Sequence, residues 1–131
     1  MLDTSALIDL AGLDPASLPS TPSITALTLA ELSVGPHVAR SSSVRAARQA
    51  HLQQAETDFE PIPFDSAAAR AFGRVAASLR ASGRKPAARA YDALIAATAL
   101  SRELPLYTAN PKDFRDIEGL TVHEVRRRDD G

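Results

Sequence analysis

Four acids and one amide stand where their chemistry could gather: Asp3, Glu31, Asp92, Asn110 and Asp113. Asp92 is the most informative. It lies in Pro86-Ala-Ala-Arg-Ala-Tyr-Asp-Ala-Leu-Ile-Ala-Ala-Thr-Ala-Leu100, a helical pattern, and Ile95 and Ala96, three and four positions on, make its own face apolar. No other acid occurs between Asp65 and Glu103. A carboxylate on such a face is costly unless it is paired or ligates a cation. Asp3 ends an apolar stub that reads as a strand, and Asn110 and Asp113 follow a second one, Leu106–Thr108. Glu31 sits one turn into a helix opened by Thr28-Leu29-Ala30-Glu31.

Each residue also has an ordinary reading. Asp3 can cap the helix that starts at Thr4-Ser5. Glu31 can close a capping box with Thr28. Asp92 can pair with Arg89 one turn back. Asn110 can start the turn before Pro111, and Asp113 can be a surface residue. Their joint placement, at two strand ends and two helix starts, favours a shared site. Two carboxylates about 4 Å apart repel by about 4 kcal/mol at an effective dielectric near 20. Three such contacts would exceed the whole stability of many small domains. A divalent cation reverses that sign. All-oxygen ligands favour Mg²⁺ or Mn²⁺ over zinc. His37, His51 and His123 are too dispersed in sequence to form a local zinc pair.

The elements that must position these groups alternate. Met1–Leu2 reads as the first strand, Thr4 to Ala11 as a helix stopped by Gly12, and residues 13–22 as a loop. Ser23–Ala26 is a short strand, and the helix after it is broken by Gly35-Pro36. Val38 to about Glu56 is helical. Phe59–Phe64, with Pro61 and Pro63, suits only an edge strand or loop. Asp65 caps a helix over 66–81 ended by Gly83, and Pro86 opens another helix to about Arg102. Leu106–Thr108, a turn at Asn110-Pro111 with one helical turn, and a last strand Leu120–Val125 complete the chain. The pattern predicts one α/β domain over residues 1–131: three α/β/α layers around a central, mostly parallel sheet of four to five short strands. In such sheets ligands gather beyond the carboxyl ends of the strands.

Composition narrows the chemistry. There is no cysteine, which excludes disulfides, a thiolate zinc site and a thiol nucleophile. No apolar run is long enough to span a membrane. MLDTSALIDL lacks a basic n-region and does not read as a signal peptide, so cytoplasm is the expected compartment. Of the apolar residues 25 are alanine, which leaves little area to bury and suits a chain that leans on a partner or a second copy. The net charge is −1, yet the charges are segregated. Residues 66–91 hold Arg70, Arg74, Arg80, Arg84, Lys85 and Arg89 and no acid, and Arg126–Arg128 follow near the end. A nucleic-acid site beside a metal centre needs this segregation, and a solvated helix face also shows it. Acids holding a hard cation beside basic residues point to phosphoryl chemistry with a metal-activated water. No nucleophile elbow, P-loop or G-x-G-x-x-G occurs. A haloacid-dehalogenase-like phosphatase needs D-x-D where this chain has Asp3-Thr4-Ser5, and a receiver-type switch needs an acceptor Asp that 59–64 lacks.

At these residues the chain resembles a PIN-domain ribonuclease of the VapC-type toxins. Leu2-Asp3-Thr4-Ser5-Ala6-Leu7-Ile8 is similar to the family's first-strand motif, and Leu29-Ala30-Glu31-Leu32-Ser33-Val34-Gly35 to its E-L-x-x-G block. Asp92-Ala93-Leu94-Ile95-Ala96-Ala97-Thr98-Ala99 is similar to its D-x-x-I-A-A-x-A helix, and Thr108-Ala109-Asn110-Pro111-Lys112-Asp113-Phe114 to its T-x-[ND]-x-x-D-F block. The resemblance implies Mg²⁺-dependent (or Mn²⁺-dependent) endonuclease cleavage of RNA. Asp3 and Asp92 would ligate the metal. Glu31 would hold a metal-bound water or a second ion, and Asp113 or Asn110 would complete the acidic pocket. Ser5 and Thr108 would hydrogen-bond and orient the acids. Arg80, Arg84 and Arg89 are the expected RNA contacts. The resemblance further implies a homodimer held inactive by a VapB-type antitoxin. Many relatives carry Asp where this chain has Asn110. The first strand is shorter than the family's usual one, which reads as native residues missing ahead of Met1. A non-catalytic PIN-like RNA- or protein-binding module is the competing reading, separated from the enzyme by metal-dependent cleavage.

Overall fold

The computed structural model describes residues 1–128, apart from the side chains of Ala87 and Ala88. Among them run helices α1 (Thr4–Ile8), α2 (Ala26–His37), α3 (Ser42–Asp58), α4 (Ser66–Ala81) and α5 (Ala90–Ser101), then strands β1 (Leu106–Thr108) and β2 (Val122–Glu124). Four helices begin the same way. A side-chain oxygen of Asp3, Thr25, Ser41 or Asp65 accepts the backbone N–H three residues on, from Ala6, Thr28, Val44 and Ala68. Gly83, at φ +82°, ends α4 where a side chain would be strained.

Several helix boundaries differ from expectation: α2 starts at Ala26 and not at Thr28, and α3 at Ser42 and not at Val38. The first helix stops at Ile8, and a separate 3₁₀ turn, Leu10–Gly12, follows. Gly35-Pro36 does not break α2, which runs through Pro36 to His37. Pro36 falls in the last turn, where it removes a single intrahelical bond. Arg45 Nε donates to the Pro36 carbonyl at 3.2 Å and an Arg48 guanidinium N–H to the Gly35 carbonyl at 2.9 Å, so α3 satisfies that helix end. The helix expected from Pro86 opens instead as a 3₁₀ turn, Pro86–Arg89, before α5.

Among the described residues the regular sheet has two parallel strands, not four to five, with Leu106 opposite Val122 and Thr108 opposite Glu124. Further extended segments pair more briefly, among them Leu13 with Arg127 in an antiparallel bridge. Leu2 forms a parallel bridge with Tyr107, and Thr25 with Ile62. Leu2 N–H also donates to Ser23 O at 2.7 Å. Pro61 and Pro63 lack an N–H, so Ile62 alone can extend the ladder at its edge.

Apolar residues alternate between the two faces of these segments. Met1, Leu106 and Val122 join a core with Val75 and Leu79 of α4 and Ile95 of α5. Leu2, Tyr107 and Val125 join another with Leu7 of α1, Leu32 of α2 and Ala55 of α3. This period-two switch places helices on both faces, an α/β arrangement. Asp3 and Thr108 thereby finish adjacent parallel segments on the same edge. Helices α1, α2 and α5 and the turn Pro111–Phe114 supply the remaining groups.

Candidate active site

Asp3 is held hard. Its side chain is nearly buried, at 4% exposure. One carboxylate oxygen accepts from Ala6 N–H at 2.9 Å and Ser5 Oγ at 2.8 Å, and the other from Thr108 Oγ1 at 2.6 Å. Ser5 Oγ in turn accepts Ala109 N–H at 3.1 Å, and Thr108 Oγ1 accepts Asn110 N–H at 2.9 Å. The cap of α1 and the end of β1 are thus one hydrogen-bonded unit. Burial pushes the Asp3 carboxyl above its ordinary range, while those three donors oppose the rise. The capping expected of Asp3 and its place in the acidic group therefore coexist.

Glu31 is half-buried and accepts from Thr4 Oγ1 at 2.6 Å. Thr25, not Thr28, caps α2, so the expected capping box with Glu31 does not form. Burial raises the Glu31 carboxyl, the Thr4 bond opposes the rise, and the Asp3 charge adds to it.

Asp92 is the third residue of α5 and half-buried. Among the described residues no group donates to its carboxylate, and the pairing with Arg89 is not formed. Burial, then repulsion from Asp113, Asp3 and Glu31, pushes it up to about 6, against the pull of Arg89. Arg89 instead meets Asp113 at 2.6 Å, an ion pair 40% and 33% exposed on its two side chains. Asn110 is exposed and starts the turn Pro111–Phe114 without a side-chain cap bond. Arg84 donates to the carbonyls of Lys112 at 2.7 Å and Arg115 at 2.9 Å, clamping the turn that carries Asp113. Arg80 is exposed in the last turn of α4. A cleft of about 580 Å³ lined by Pro36, His37, Arg45 and Gln49 holds none of these residues.

Asp3, Glu31, Asp92 and Asp113 therefore come from different elements yet feel one another's charge. The PIN domain family matches residues 1–120. The chain belongs to the PIN-domain family. Over 130 residues it is 39% identical to ribonuclease VapC5 of Mycobacterium tuberculosis, covering 97% of this chain and 93% of that one. The structure of VapBC-5 from Mycobacterium tuberculosis superposes with a TM-score of 0.81 at 41% identity, covering 95% of each chain. DNA-bound VapBC from Salmonella typhimurium gives 0.75 at 27% identity, with 95% of this chain and 96% of that chain covered.

In this PIN domain three residues gain roles that the sequence reading did not give them. Thr4 and Thr28 form a hydroxyl pair at 3.1 Å behind Glu31. Arg84 grips the Asp113 turn through backbone carbonyls, which no residue pattern encodes. For Thr4 the signal was its place in Asp3-Thr4-Ser5, whose other two members were singled out. Among the described residues no three acidic or histidine side chains stand at ready-made ligand spacing. The donor set still suits a hard divalent cation: it is all oxygen, and among the described residues Asp92 forms no ion pair and accepts no hydrogen bond. No helix among the described residues is long and apolar enough to cross a membrane.

Proposed function

We infer that this PIN domain is a metal-dependent endoribonuclease, the toxin of a pair whose VapB-type antitoxin restrains it. The observation that carries the reading is Asp92, without a hydrogen-bond or ion-pair partner among the described residues and raised to about 6 by burial and three neighbouring carboxylates. The VapC5 relative is a ribonuclease by name, and the similar solved structures are VapBC complexes, which supports the toxin and partner assignment. Asp3, Asp92 and Glu31 would hold Mg²⁺ or Mn²⁺, with Asp113 or Asn110 completing the pocket. When bound, that ion supplies a lowered pKa to water and charge to stabilise the leaving oxygen.

The chain's own residues do the positioning. Ser5 and Thr108 fix both Asp3 oxygens, so that carboxylate does not rotate. Thr4 occupies one Glu31 oxygen and leaves the other without a hydrogen bond among the described residues. Arg89 holds Asp113, and Arg84 holds its turn. Arg84 and Arg89 contact the turn that carries Asp113, and together with the exposed Arg80 they would meet backbone phosphates of an RNA substrate. The same reading includes a homodimer and a cytoplasmic site of action. The competing reading, a non-catalytic PIN-like RNA- or protein-binding module, draws on the exposed Asn110 and the open spacing of the acids.

RNA cleavage assayed with EDTA, then with added Mg²⁺, Mn²⁺ or Ca²⁺, separates the two. The enzyme loses activity in EDTA and regains it with Mg²⁺ or Mn²⁺ but not Ca²⁺. Absence of cleavage under all conditions, with RNA still bound, establishes the binding module.

A further inference from the structure

We propose that Thr28 is a positioning residue for Glu31 and acts through Thr4. The inference deepens the nuclease reading and rests on it. Thr28 is fully buried. Its backbone is pinned by the helix cap, since its N–H donates to Thr25 Oγ1 at 3.2 Å. Its hydroxyl lies 3.1 Å from Thr4 Oγ1, and Thr4 Oγ1 lies 2.6 Å from a Glu31 carboxylate oxygen.

Proton counting gives the chain a direction. A threonine hydroxyl carries one proton, and an ionised carboxylate only accepts. The Thr4 proton is therefore committed to Glu31, and the contact between the hydroxyls is made by the Thr28 proton. Among the described residues the Thr28 hydroxyl has no other side-chain partner. Thr28 donates to Thr4, and Thr4 donates to Glu31. Thr28 and Glu31 are three residues apart on one face of α2, while Thr4 opens α1 beside Asp3. The relay thus ties the helix carrying Glu31 to the helix capped by Asp3. Without the Thr28 donor, the Thr4 hydroxyl is free to leave its rotamer, and Glu31 loses its only hydrogen-bonded partner among the described residues.

The test compares the wild type with Thr28→Val, Thr28→Ser, Thr4→Val and the double valine variant. Mn²⁺ affinity is measured by calorimetry without RNA, kcat and KM on a short RNA, and folding by thermal melting. Thr28→Val keeps the branched shape and removes the donor. It weakens Mn²⁺ binding and lowers kcat, each about tenfold, and leaves KM for RNA unchanged, as when a group behind a ligand is lost. Thr28→Ser restores both values. Thr4→Val shows the same loss, and adding Thr28→Val to it changes nothing further. Wild-type behaviour of Thr28→Val, a loss that serine does not restore, or additive losses in the double variant overturns this inference alone. A wild type that neither binds Mn²⁺ nor cuts RNA overturns the nuclease reading, and this inference with it.

Discussion

The two ends of the acidic centre are built on opposite plans. At the Asp3 end the carboxylate receives three hydrogen bonds, and every donor is anchored to α1 or the end of β1. At the Asp92 end the carboxylate receives none among the described residues, and the nearest cation, Arg89, is spent on Asp113. The first end keeps its geometry with no ion present. The second is destabilising as it stands, because burial and repulsion meet no hydrogen bond among the described residues, and a bound cation would offset that cost. A site divided in this way is preorganised on one side and responsive on the other.

The comparison breaks most visibly in activity. Asp92→Asn and Asp3→Asn each reduce RNA cleavage by at least about a thousandfold, the several kcal/mol that metal-ion charge stabilisation supplies. Their melting temperatures should part ways. In metal-free protein Asp92→Asn raises the transition, because relief of burial and repulsion meets no lost hydrogen bond. Asp3→Asn gains less or loses, since it gives up charge-assisted bonds from Ser5, Ala6 and Thr108. Equal stabilisation by both substitutions would erase the distinction. Next in size, Thr108→Val removes a donor to Asp3 and an acceptor for the Asn110 N–H, and costs about 2 kcal/mol in denaturant unfolding.

A pH series sharpens the same contrast. Asp92 titrates at about 6 in the folded chain against 3.8 when unperturbed. Between those values the folded state binds more protons than the unfolded one, so metal-free stability rises as pH falls through that window. Asp3 and Glu31, also raised, add in the same direction. Asp65 acts oppositely: the Ala68 N–H holds its carboxyl below the ordinary range, so its contribution is lost only at lower pH. Melting at pH 5.0 should exceed that at about pH 7.5 by a few degrees, and saturating Mg²⁺ should remove the difference. A flat metal-free profile would show that Asp92 is already compensated. The smallest effect belongs to Arg89→Ala, whose partly exposed pair is worth about 1 kcal/mol or less in stability. Neutralising Arg80, Arg84 and Arg89 together should flatten the salt dependence of RNA binding.

The acidic centre was legible where one residue carried its own signal. Asp92 declared itself through an apolar helix face, and Asp65 and Gly83 marked the limits of α4. Partners were less legible, because they are chosen by space and not by spacing. Arg89 is one turn from Asp92 in sequence yet pairs with Asp113, 24 residues away. Glu31 has the capping-box spacing from Thr28, but the helix starts a turn earlier at Thr25 and turns Glu31 toward Thr4. Pro36 follows the same logic, since arginines of α3 satisfy the helix end that it was expected to break. The sheet was over-counted because short apolar stretches announce extended backbone, whereas ladder length depends on which N–H groups remain to pair.

A carbon-detected NMR titration of the Asp92 carboxyl, with and without saturating Mg²⁺, probes this centre at its responsive end. A midpoint near 6 that drops by more than one unit when Mg²⁺ is added is the expected result. A midpoint that is ordinary in free protein, or one that Mg²⁺ leaves in place, would contradict a centre assembled to receive a divalent ion.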